Sequence, residues 1–502
     1  MPGKSAQPKS AGAWKPAKGE AGIRVRMYRV GFGDFFLVSI LDEQEKPLHI
    51  LIDCGVFRGK SQKGDIHSIE AAVEHMAKET DRQLELVVMT HRHADHIAGF
   101  ARCDSVFRNM NRVGDVWMPI WESEYEPTAV KFQAELTRTA IALQGHFLRL
   151  GATASPEVTT ALQFMENATG AADVAGAAAH GSNAVALDLL KHGFDGVTPK
   201  YYKANDKPSL PRALRKAGLR VKVLGPPPLD DLQLMKLMDL QKGVGQYLAE
   251  EIGDQTAVAA PFGDEWKIRP ADVLGRRAPY SAKSFAEWTN ARKTWGHVTD
   301  PQGREGQERM EKALKASQPI AALMAAKKLN AFLNNQSLVL LLTFKGRNLL
   351  FVGDAQAGNW EHWLFETDTP DKKAGGEVTD NARKVLSTLN FYKVGHHGSG
   401  NATPKAAADL LAKQGHRFAA MCSTEAGVYG TEDPDNPSKG TEVPRGPLLE
   451  KLSSHEGSLV RSDQISITVD GEKIPPRVKA DLPAPVPGSR FEKGECWIDC
   501  FL

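Results

Sequence analysis

Histidine and aspartate are concentrated in residues 91–96, which have the pattern H-x-H-x-D-H. Imidazole and carboxylate groups are ligands that zinc, manganese and iron take in proteins. The segment follows the apolar stretch 84–89, which is typical of a buried strand. Residues two apart at a strand end can converge on one ion, and the Asp-His pair after them would turn toward a second. The candidate metal ligands of this segment are His91, His93, Asp95 and His96.

Two later segments carry residues of the same chemistry at the ends of apolar stretches. One stretch ends in Asp354, whose carboxylate could bridge two ions. The other, residues 391–394, runs into a Gly-His-His-Gly-Ser segment in which His396 is a further candidate ligand. His397 or Ser399 could donate a hydrogen bond to charge that develops on a substrate or to its leaving group. The candidate catalytic residues are Asp95, His397 and Ser399.

The composition is that of an ordinary globular protein. The chain has 502 residues, of which 41% are hydrophobic and 25% are charged, and its net charge is +2. A charge this close to zero does not indicate a nucleic-acid-binding protein. No apolar run approaches the roughly 18 residues of a membrane helix, and we expect no signal peptide at the N-terminus. The five cysteines are scattered and odd in number, which disfavours a disulfide scaffold and favours a cytoplasmic location.

Strand-like and helix-like patterns alternate at both ends of the chain. Residues 23–28 alternate between apolar and polar side chains, and residues 35–40 and 48–52 continue as strands. Residues 66–78 have the pattern of a helix. The part from residue 334 onward repeats this alternation, and helical material lies between the two. This order predicts an α/β layer structure rather than a helix bundle or a sheet sandwich alone.

The chain is expected to divide at changes of composition and pattern. The predicted core strands of the middle region form a pair, at residues 197–204 and 219–224. The last apolar residues, after a Pro-rich linker, could dock on the body of the protein or on a partner. The predicted segments are a disordered basic tail (1–22), a first part of the core (23–120), a helical insertion (121–195), core strands (196–228), a second helical insertion (229–333), a second part of the core (334–480) and a Pro-rich linker with a C-terminal tail (481–502).

The order of the candidate residues, each at a strand end, resembles the metallo-β-lactamase fold superfamily. That order is Asp53, the 91–96 segment, Asp354 and His396. Within the superfamily the chain is most similar to the hydrolase domain of the ComEC competence proteins. The likeness covers roughly residues 23–118, 196–228 and 334–470 and leaves the insertions unmatched. The segments that carry it are 90–99, 334–337, 352–354 and 394–399.

The resemblance implies a four-layer αβ/βα metallo-β-lactamase sandwich with long helical insertions and metals at one edge of the two sheets. It implies two divalent cations, zinc above all, with manganese or iron as alternatives. His91 and His93 would bind the first ion, and Asp354 would bridge the two ions. Asp53 would orient the loop by hydrogen bonding without binding a metal. The second ion would be held by Asp95, His96 and His396.

Many members of the superfamily place a further histidine on the first ion. His146, His180 and His397 are the candidates here, or solvent could fill the position, so occupancy by a single ion stays open. The membrane helices of the competence channel are not evident in this sequence. The resemblance therefore extends to the hydrolase part alone.

Basic and aromatic residues crowd two stretches, 200–222 and 269–295. Such a lining suits a nucleotide or single-stranded nucleic acid, although a solvated surface has the same composition. We therefore expect a metal-dependent hydrolase that uses a metal-bound hydroxide on a phosphodiester or nucleotide substrate. The alternatives are hydrolysis of a small-molecule ester, lactone or thioester, and a non-catalytic interaction protein of the same fold. No membrane partner is expected, and protein partners stay open.

Overall fold

The computed structural model describes residues 14–57, 68–149, 183–230, 326, 329–365, 377–413, 418–430, 442–453, 458–486 and 488–502. The chain forms two units, of which one comprises residues 1–137, 166–251 and 330–502 and the other residues 138–165 and 252–329. In the second unit, the described residues are 138–149, 326 and 329. Apart from the end of one long helix, all the elements below belong to the first unit.

Short strands and helices make up the described chain. The strands are β1 (Ile23–Tyr28), β2 (Phe35–Leu41), β3 (Pro47–Cys54), β4 (Gln83–Leu84), β5 (Leu86–Val88), β6 (Arg112–Val113), β7 (Val116–Pro119), β8 (Lys200–Tyr202), β9 (Arg220–Gly225), β10 (Val339–Phe344), β11 (Arg347–Phe351), β12 (Phe391–Lys393), β13 (Ala419–Cys422), β14 (Ser458–Arg461), β15 (Ile467–Val469), β16 (Glu472–Ile474), β17 (Arg490–Lys493) and β18 (Trp497–Phe501). The helices are α1 (Ile69–Glu79), α2 (Ala94–Arg102), α3 (Asp104–Arg108), α4 (Pro127–Arg149), α5 (Asn183–His192), α6 (Arg212–Lys216), α7 (Ala357–Leu364), α8 (Asp380–Ser387), α9 (Lys405–Leu411) and α10 (Gly446–Ser453).

Two large sheets are built from these strands. The first has eight strands in the order β17-β18-β1-β2-β3-β5-β7-β8, and the second has six in the order β14-β13-β12-β11-β10-β9. In the first sheet, β1 to β3 form an antiparallel meander, and β5, β7 and β8 then run parallel to β3. In the second, β11 to β14 are parallel, and β9 and β10 are antiparallel neighbours. The α/β class predicted from the sequence is confirmed.

Three clusters of buried apolar side chains hold these layers together. One combines side chains of both sheets, such as Val38 of the first sheet and Leu340 of the second. Another joins the first sheet to helices α1, α2, α3 and α5, and includes Leu37. The third joins the second sheet to α7, α8, α9 and α10, and includes Trp360. Successive residues of β2 thus enter different clusters, because side chains alternate between the two faces of a strand.

The predicted strand pair of residues 196–228 is wrong in its pairing. Both strands exist, but β8 pairs with β7 in the first sheet, and β9 pairs with β10 in the second. The chain between them, which contains α6, therefore crosses from one sheet to the other. Local patterns predict the strands and carry no information about partners that lie far away in sequence.

The predicted C-terminal tail is also wrong over its last part. Residues 490–493 and 497–501 form β17 and β18, and β18 pairs with β1 so that Cys500 faces Val25. The apolar end of the chain thus docks on the body of the protein, which was one of the two alternatives. Of the predicted basic tail, residues 1–13 lie outside the described residues, whereas Ala21 N donates a hydrogen bond to Leu502 O (2.7 Å). Within the described ranges, no helix is both long and apolar enough to cross a membrane.

Candidate metal centre

Three strand ends meet at one edge of the two sheets. Strand β5 leads into residues 91–96, β11 leads into Asp354, and β12 leads into residues 396–397. Strands β5 and β3 are parallel, as are β11 and β12, so in each sheet the carboxyl ends lie at the same edge. A hydrogen bond from Leu338 N to Thr90 O (2.9 Å) ties the second sheet to the start of the 91–96 segment.

Unusual backbone conformations place the side chains at this edge. His396 and His397 have φ angles of +46° and +53°, and Asp53 has a φ of +55°. Non-glycine residues in this region carry a strain of about 1–3 kcal/mol, so the surrounding contacts must hold them there. Gly55 is needed for close approach, because a Cβ at this position would lie 2.1 Å from the backbone nitrogen of His96.

Two sets of His and Asp side chains lie at this edge, and both include Asp354. In each set, one ligand atom from every residue lies within 4.8 Å of the others. Every member is at least nine-tenths buried. Such buried clusters could hold a metal ion. Group A consists of His91, His93 and Asp354, and group B consists of Asp95, His96, Asp354 and His397.

The distances within the groups suit a single cation in each. In group A, His91 Nε2 lies 2.9 Å from His93 Nδ1. In group B, His397 Nε2 lies 3.1 Å from Asp95 Oδ2 and 3.6 Å from Asp354 Oδ2. Two ligand atoms at about 2.0–2.1 Å from a tetrahedral zinc lie about 3.3 Å from each other. The side chains therefore have the spacing of ligands that share one ion.

Several polar atoms of the two groups are buried without a hydrogen bond. In the described part of the chain, His96 Nε2 and both carboxylate oxygens of Asp354 have no hydrogen-bond partner. His96 Nε2 lies 3.1 Å from Asp354 Oδ2. A buried polar group without a partner costs about 1–3 kcal/mol, which a bound cation would offset. The residues present therefore fit a divalent cation that accepts imidazole and carboxylate ligands.

Hydrogen bonds on the far side of two rings determine which nitrogen faces the centre. His96 Nδ1 lies 2.7 Å from Asp53 Oδ2, and His397 Nδ1 lies 2.9 Å from the carbonyl oxygen of Ser423. Both oxygens accept, so each Nδ1 carries a hydrogen, and Nε2 of the neutral ring presents its lone pair to group B. Asp53 also accepts hydrogen bonds from Thr90 N (2.7 Å) and Thr90 Oγ1 (2.6 Å), which are contacts that its predicted orienting role requires.

Burial and neighbouring charge act differently on the two groups. Burial lowers the pKa of His91 well below its ordinary value and that of His93 to about 4, and repulsion from His96 adds to both shifts. Burial also acts to lower the pKa of His96 and His397, but the surrounding carboxylates, Asp354 first among them, together outweigh it and raise the pKa of both. Burial thus favours the neutral imidazole that metal ligands need in group A, whereas the carboxylates around group B favour the protonated form as long as no cation is bound.

The Gly-His-His-Gly-Ser segment is arranged differently from the prediction. The sequence assigns His396 to the second ion, whereas of the two described histidines the structure places His397 in group B. His396 Nε2 lies 3.7 Å from Asp354 Oδ2, and its side chain is 20% exposed. The charge of His396 contributes to the lowered pKa values of His91 and His93, so this ring lies near group A. The centroids of the two rings are 6.1 Å apart.

Ser399 lies beside His396. Its hydroxyl donates to Asn401 Oδ1 (2.9 Å), and the same oxygen lies 3.2 Å from His396 Nδ1. Ser399 thus reaches the histidine through Asn401, and its role in catalysis stays a prediction. Two other candidates, the side chain of His146 and the whole of His180, lie outside the described residues.

Two charged residues of the centre were missed by sequence reasoning. Lys393 Nζ forms an ion pair with Asp34 Oδ2 and lies 3.6 Å from Asp354 Oδ1. Burial by itself lowers the pKa of Lys393, but the charges of Asp34 and Asp354 raise it above its ordinary value. The available signal is a lysine inside the apolar stretch 391–394, where a buried charge needs a partner. Asp34 is the last residue of the Gly-rich turn 31–34, and its neighbours in the sequence do not indicate that it is buried.

The basic stretch 200–222 does not line a single face of the centre. Arg220 pairs across the second sheet with Thr343, whereas the end of β11 pairs with Leu340. Arg220 therefore lies toward the end of the sheet away from Asp354. Tyr202 pairs with Pro119 at the carboxyl end of β7 in the first sheet. The second stretch, 269–295, lies outside the described residues.

No model of a protein family matches the chain. A comparison with curated proteins finds no match either. The function is therefore argued from the geometry and chemistry of the centre itself.

Proposed function

We propose that the chain is a metal-dependent hydrolase of the metallo-β-lactamase fold, with two divalent cations, zinc above all, at groups A and B. The observation that carries this proposal is the position of Asp354. This fully buried carboxylate belongs to both groups, and among the described residues its two oxygens have no hydrogen-bond partner. In two-metal hydrolytic sites the two ions lie close together, so a carboxylate that belongs to both ligand groups suits such a site. The helix, sheet, sheet, helix order of the apolar clusters supports the same fold.

The residues divide into ligands and groups that orient them. Group A would hold one cation and group B the other, and His396 is our choice for a further imidazole beside His91 and His93. The 3.7 Å distance from His396 Nε2 to Asp354 Oδ2 supports this choice. Two divalent cations bound there would lower the pKa of a shared water toward neutrality and polarise the oxygens of the substrate.

Asp95 is better suited to bind than to donate a proton. Burial acts to raise its pKa, but the hydrogen bond from His397 and the charge of His96 lower it to about 2. The carboxylate therefore stays ionised at neutral pH. Its position in the first turn of α2, where exposed backbone N–H groups favour negative charge, favours the same form. This supports Asp95 as a ligand whose charge also places the imidazole of His397.

A phosphodiester or nucleotide is the substrate class that we favour. A pair of cations that share one carboxylate can neutralise the charge on a phosphoryl group during in-line displacement. In the overall reaction, water adds to phosphorus, the ester bond breaks, and the leaving oxygen takes a proton. The reaction needs no oxidant or reductant.

Hydrolysis of a small-molecule ester, lactone or thioester is the second candidate. Aromatic rings lie beside group B: the Phe32 ring is 4.4 Å from that of His397 and 6.3 Å from that of Tyr429, and it is 5.9 Å from Phe57. Such a wall suits an uncharged, apolar part of a substrate. A third possibility, a metal-binding interaction protein without catalysis, would keep the ligands but hydrolyse nothing.

The test combines metal analysis with a small substrate screen. The purified chain, reconstituted with zinc, is assayed on a bis-aryl phosphodiester, a lactone and single-stranded DNA. Asp354→Asn should lose metal and activity together. The matched control is Asp115→Asn, since Asp115 is equally a buried carboxylate but is paired with Lys200 away from the two groups. Failure of the wild-type chain to take up any transition metal at neutral pH would refute the proposal.

A further inference from the structure

A buried ammonium group lies inside the candidate metal centre. Lys393 Nζ forms an ion pair with Asp34 and lies 3.6 Å from Asp354 Oδ1. It also donates a hydrogen bond to the carbonyl oxygen of Gly353 (3.0 Å). Lys393 and both carboxylates are at most 2% exposed. Because Lys393 is buried, its ammonium group does not reach water and interacts with the two carboxylates instead.

Asp34 links this lysine to the imidazoles of group B. Its Oδ1 lies 3.4 Å from His397 Nδ1, and its Oδ2 lies 3.7 Å from His96 Nδ1. Asp34, Asp53 and His96 also form a third set whose ligand atoms lie within 4.8 Å of one another. In this set a positive charge is already present, because Lys393 contacts Asp34 directly. The ammonium thus lies where the third set would otherwise need a cation.

The buried carboxylates of the centre face one lysine ammonium and the imidazoles of His96 and His397. These carboxylates are Asp34, Asp53, Asp95 and Asp354. Lys393 is the ammonium that touches two of them. Buried charge without compensation is strongly destabilising, and breaking a buried pair by removing one partner costs more than the pair contributes. Before any metal binds, Lys393 therefore neutralises a large share of the negative charge of these carboxylates.

We propose that Lys393 is a resident cation of the centre, which holds Asp34 and Asp354 in place while no metal is bound. The metal-free chain then keeps groups A and B assembled, ready to take up ions. Lys393 is in this sense a positioning residue that acts on the ligand Asp354. The inference rests on the metal centre of the proposed function but not on its hydrolytic activity.

The test is the thermal stability of metal-free and zinc-loaded protein. Lys393→Met keeps most of the side-chain volume and removes the charge. We expect the midpoint of unfolding of the metal-free variant to fall by on the order of 10 °C. The midpoint of the zinc-loaded variant should fall by less, since the ions then neutralise Asp354, whereas Asp34 loses its ammonium partner in both forms. The matched control is Lys451→Met, which removes a half-exposed lysine paired with Asp409 on the surface and should shift neither form.

A double variant separates charge from packing. Asp34→Asn together with Lys393→Met removes both partners of the closest pair, so the metal-free double variant should unfold at a higher temperature than Lys393→Met alone. If the metal-free single variant does not fold, it is produced with zinc and stripped with a chelator. Its circular dichroism should then show unfolding under conditions in which the wild-type chain stays folded.

Three results would overturn the inference. These are an unchanged midpoint for metal-free Lys393→Met, an equal fall in its metal-free and zinc-loaded forms, and a double variant that is no more stable than the single one. The hydrolase proposal fails separately, through absent metal uptake or absent turnover in the wild-type chain. The measurements on metal-free protein decide the role of Lys393 in either case.

Discussion

Asp53→Asn is the sharpest perturbation of the centre, because Asp53 touches no proposed cation and yet orients a ligand. Its carboxylate accepts hydrogen bonds from Thr90 N (2.7 Å), Thr90 Oγ1 (2.6 Å) and His96 Nδ1 (2.7 Å). Asparagine has nearly the same shape and tolerates the φ of +55° found here. The substitution therefore removes charge and one acceptor while the backbone stays as it is.

The expected effect is on metal affinity. Replacing a carboxylate that orients a ligating histidine typically costs 10- to 100-fold in affinity, which corresponds to about 1.4–2.7 kcal/mol. His96 belongs to group B, so the ion in that group should weaken, while affinity at group A should change little. The measurement is a competitive titration against a chromophoric chelator at fixed pH.

Asp499→Asn is the matched control. Asp499 is equally buried at 1% exposure, and it accepts two hydrogen bonds of 2.7 Å from Arg26 in the same sheet. Both variants should lose thermal stability, but only Asp53→Asn should lose metal affinity. An unchanged affinity in Asp53→Asn, alongside a loss of stability like that of Asp499→Asn, would refute the orienting role and leave Asp53 as a purely structural residue.

Three further expectations concern other parts of the chain. Burial lowers the pKa of His49 to about 3 from an ordinary value of 6.5, so the unfolded chain binds the proton first and stability falls as the pH drops below 6.5. His49→Gln should remove about 2 kcal/mol of the fall between pH 6.5 and 5, measured by urea unfolding at both pH values. Gly353→Ala should cost about 1–3 kcal/mol in the same assay, because residue 353 has a φ of +52° and a Cβ there would lie 2.8 Å from Thr90 Oγ1. Ser399→Ala should leave metal content and turnover close to wild type, since the hydroxyl donates to Asn401. A loss of turnover of about tenfold or more would instead support the catalytic role predicted for Ser399.

The local parts of the centre could be predicted from the sequence. Residues 91–96 hold their ligands within one turn, at the end of a strand with a clear apolar pattern. Asp354 likewise follows β11 directly. In such cases the chemistry depends on neighbours in the chain, and strand ends at one sheet edge bring the segments together.

Other parts depend on conformation or on distant partners. Which of His396 and His397 enters group B is decided by two left-handed backbone positions, which residue type does not reveal. The pairing of Lys393 with Asp34 joins residues that are far apart in the sequence. The same holds for the C-terminal strand β18. The sequence shows its apolar pattern but does not show that it pairs with β1. In each of these cases the local sequence is compatible with several arrangements, and contacts made elsewhere in the folded chain select one of them.

The centre also links the two sheets energetically. Residues 91–96 follow a strand of the first sheet, whereas Asp354 and His397 follow strands of the second. A cation held by ligands from both sheets, as proposed above, would stabilise their packing by about 4 kcal/mol when the free ion exceeds its dissociation constant 1,000-fold. The apolar cluster shared by the two sheets packs together the strands whose ends carry the ligands. Under the proposed function, metal uptake would therefore be coupled to the packing of the two sheets through Asp354, the residue that both groups share.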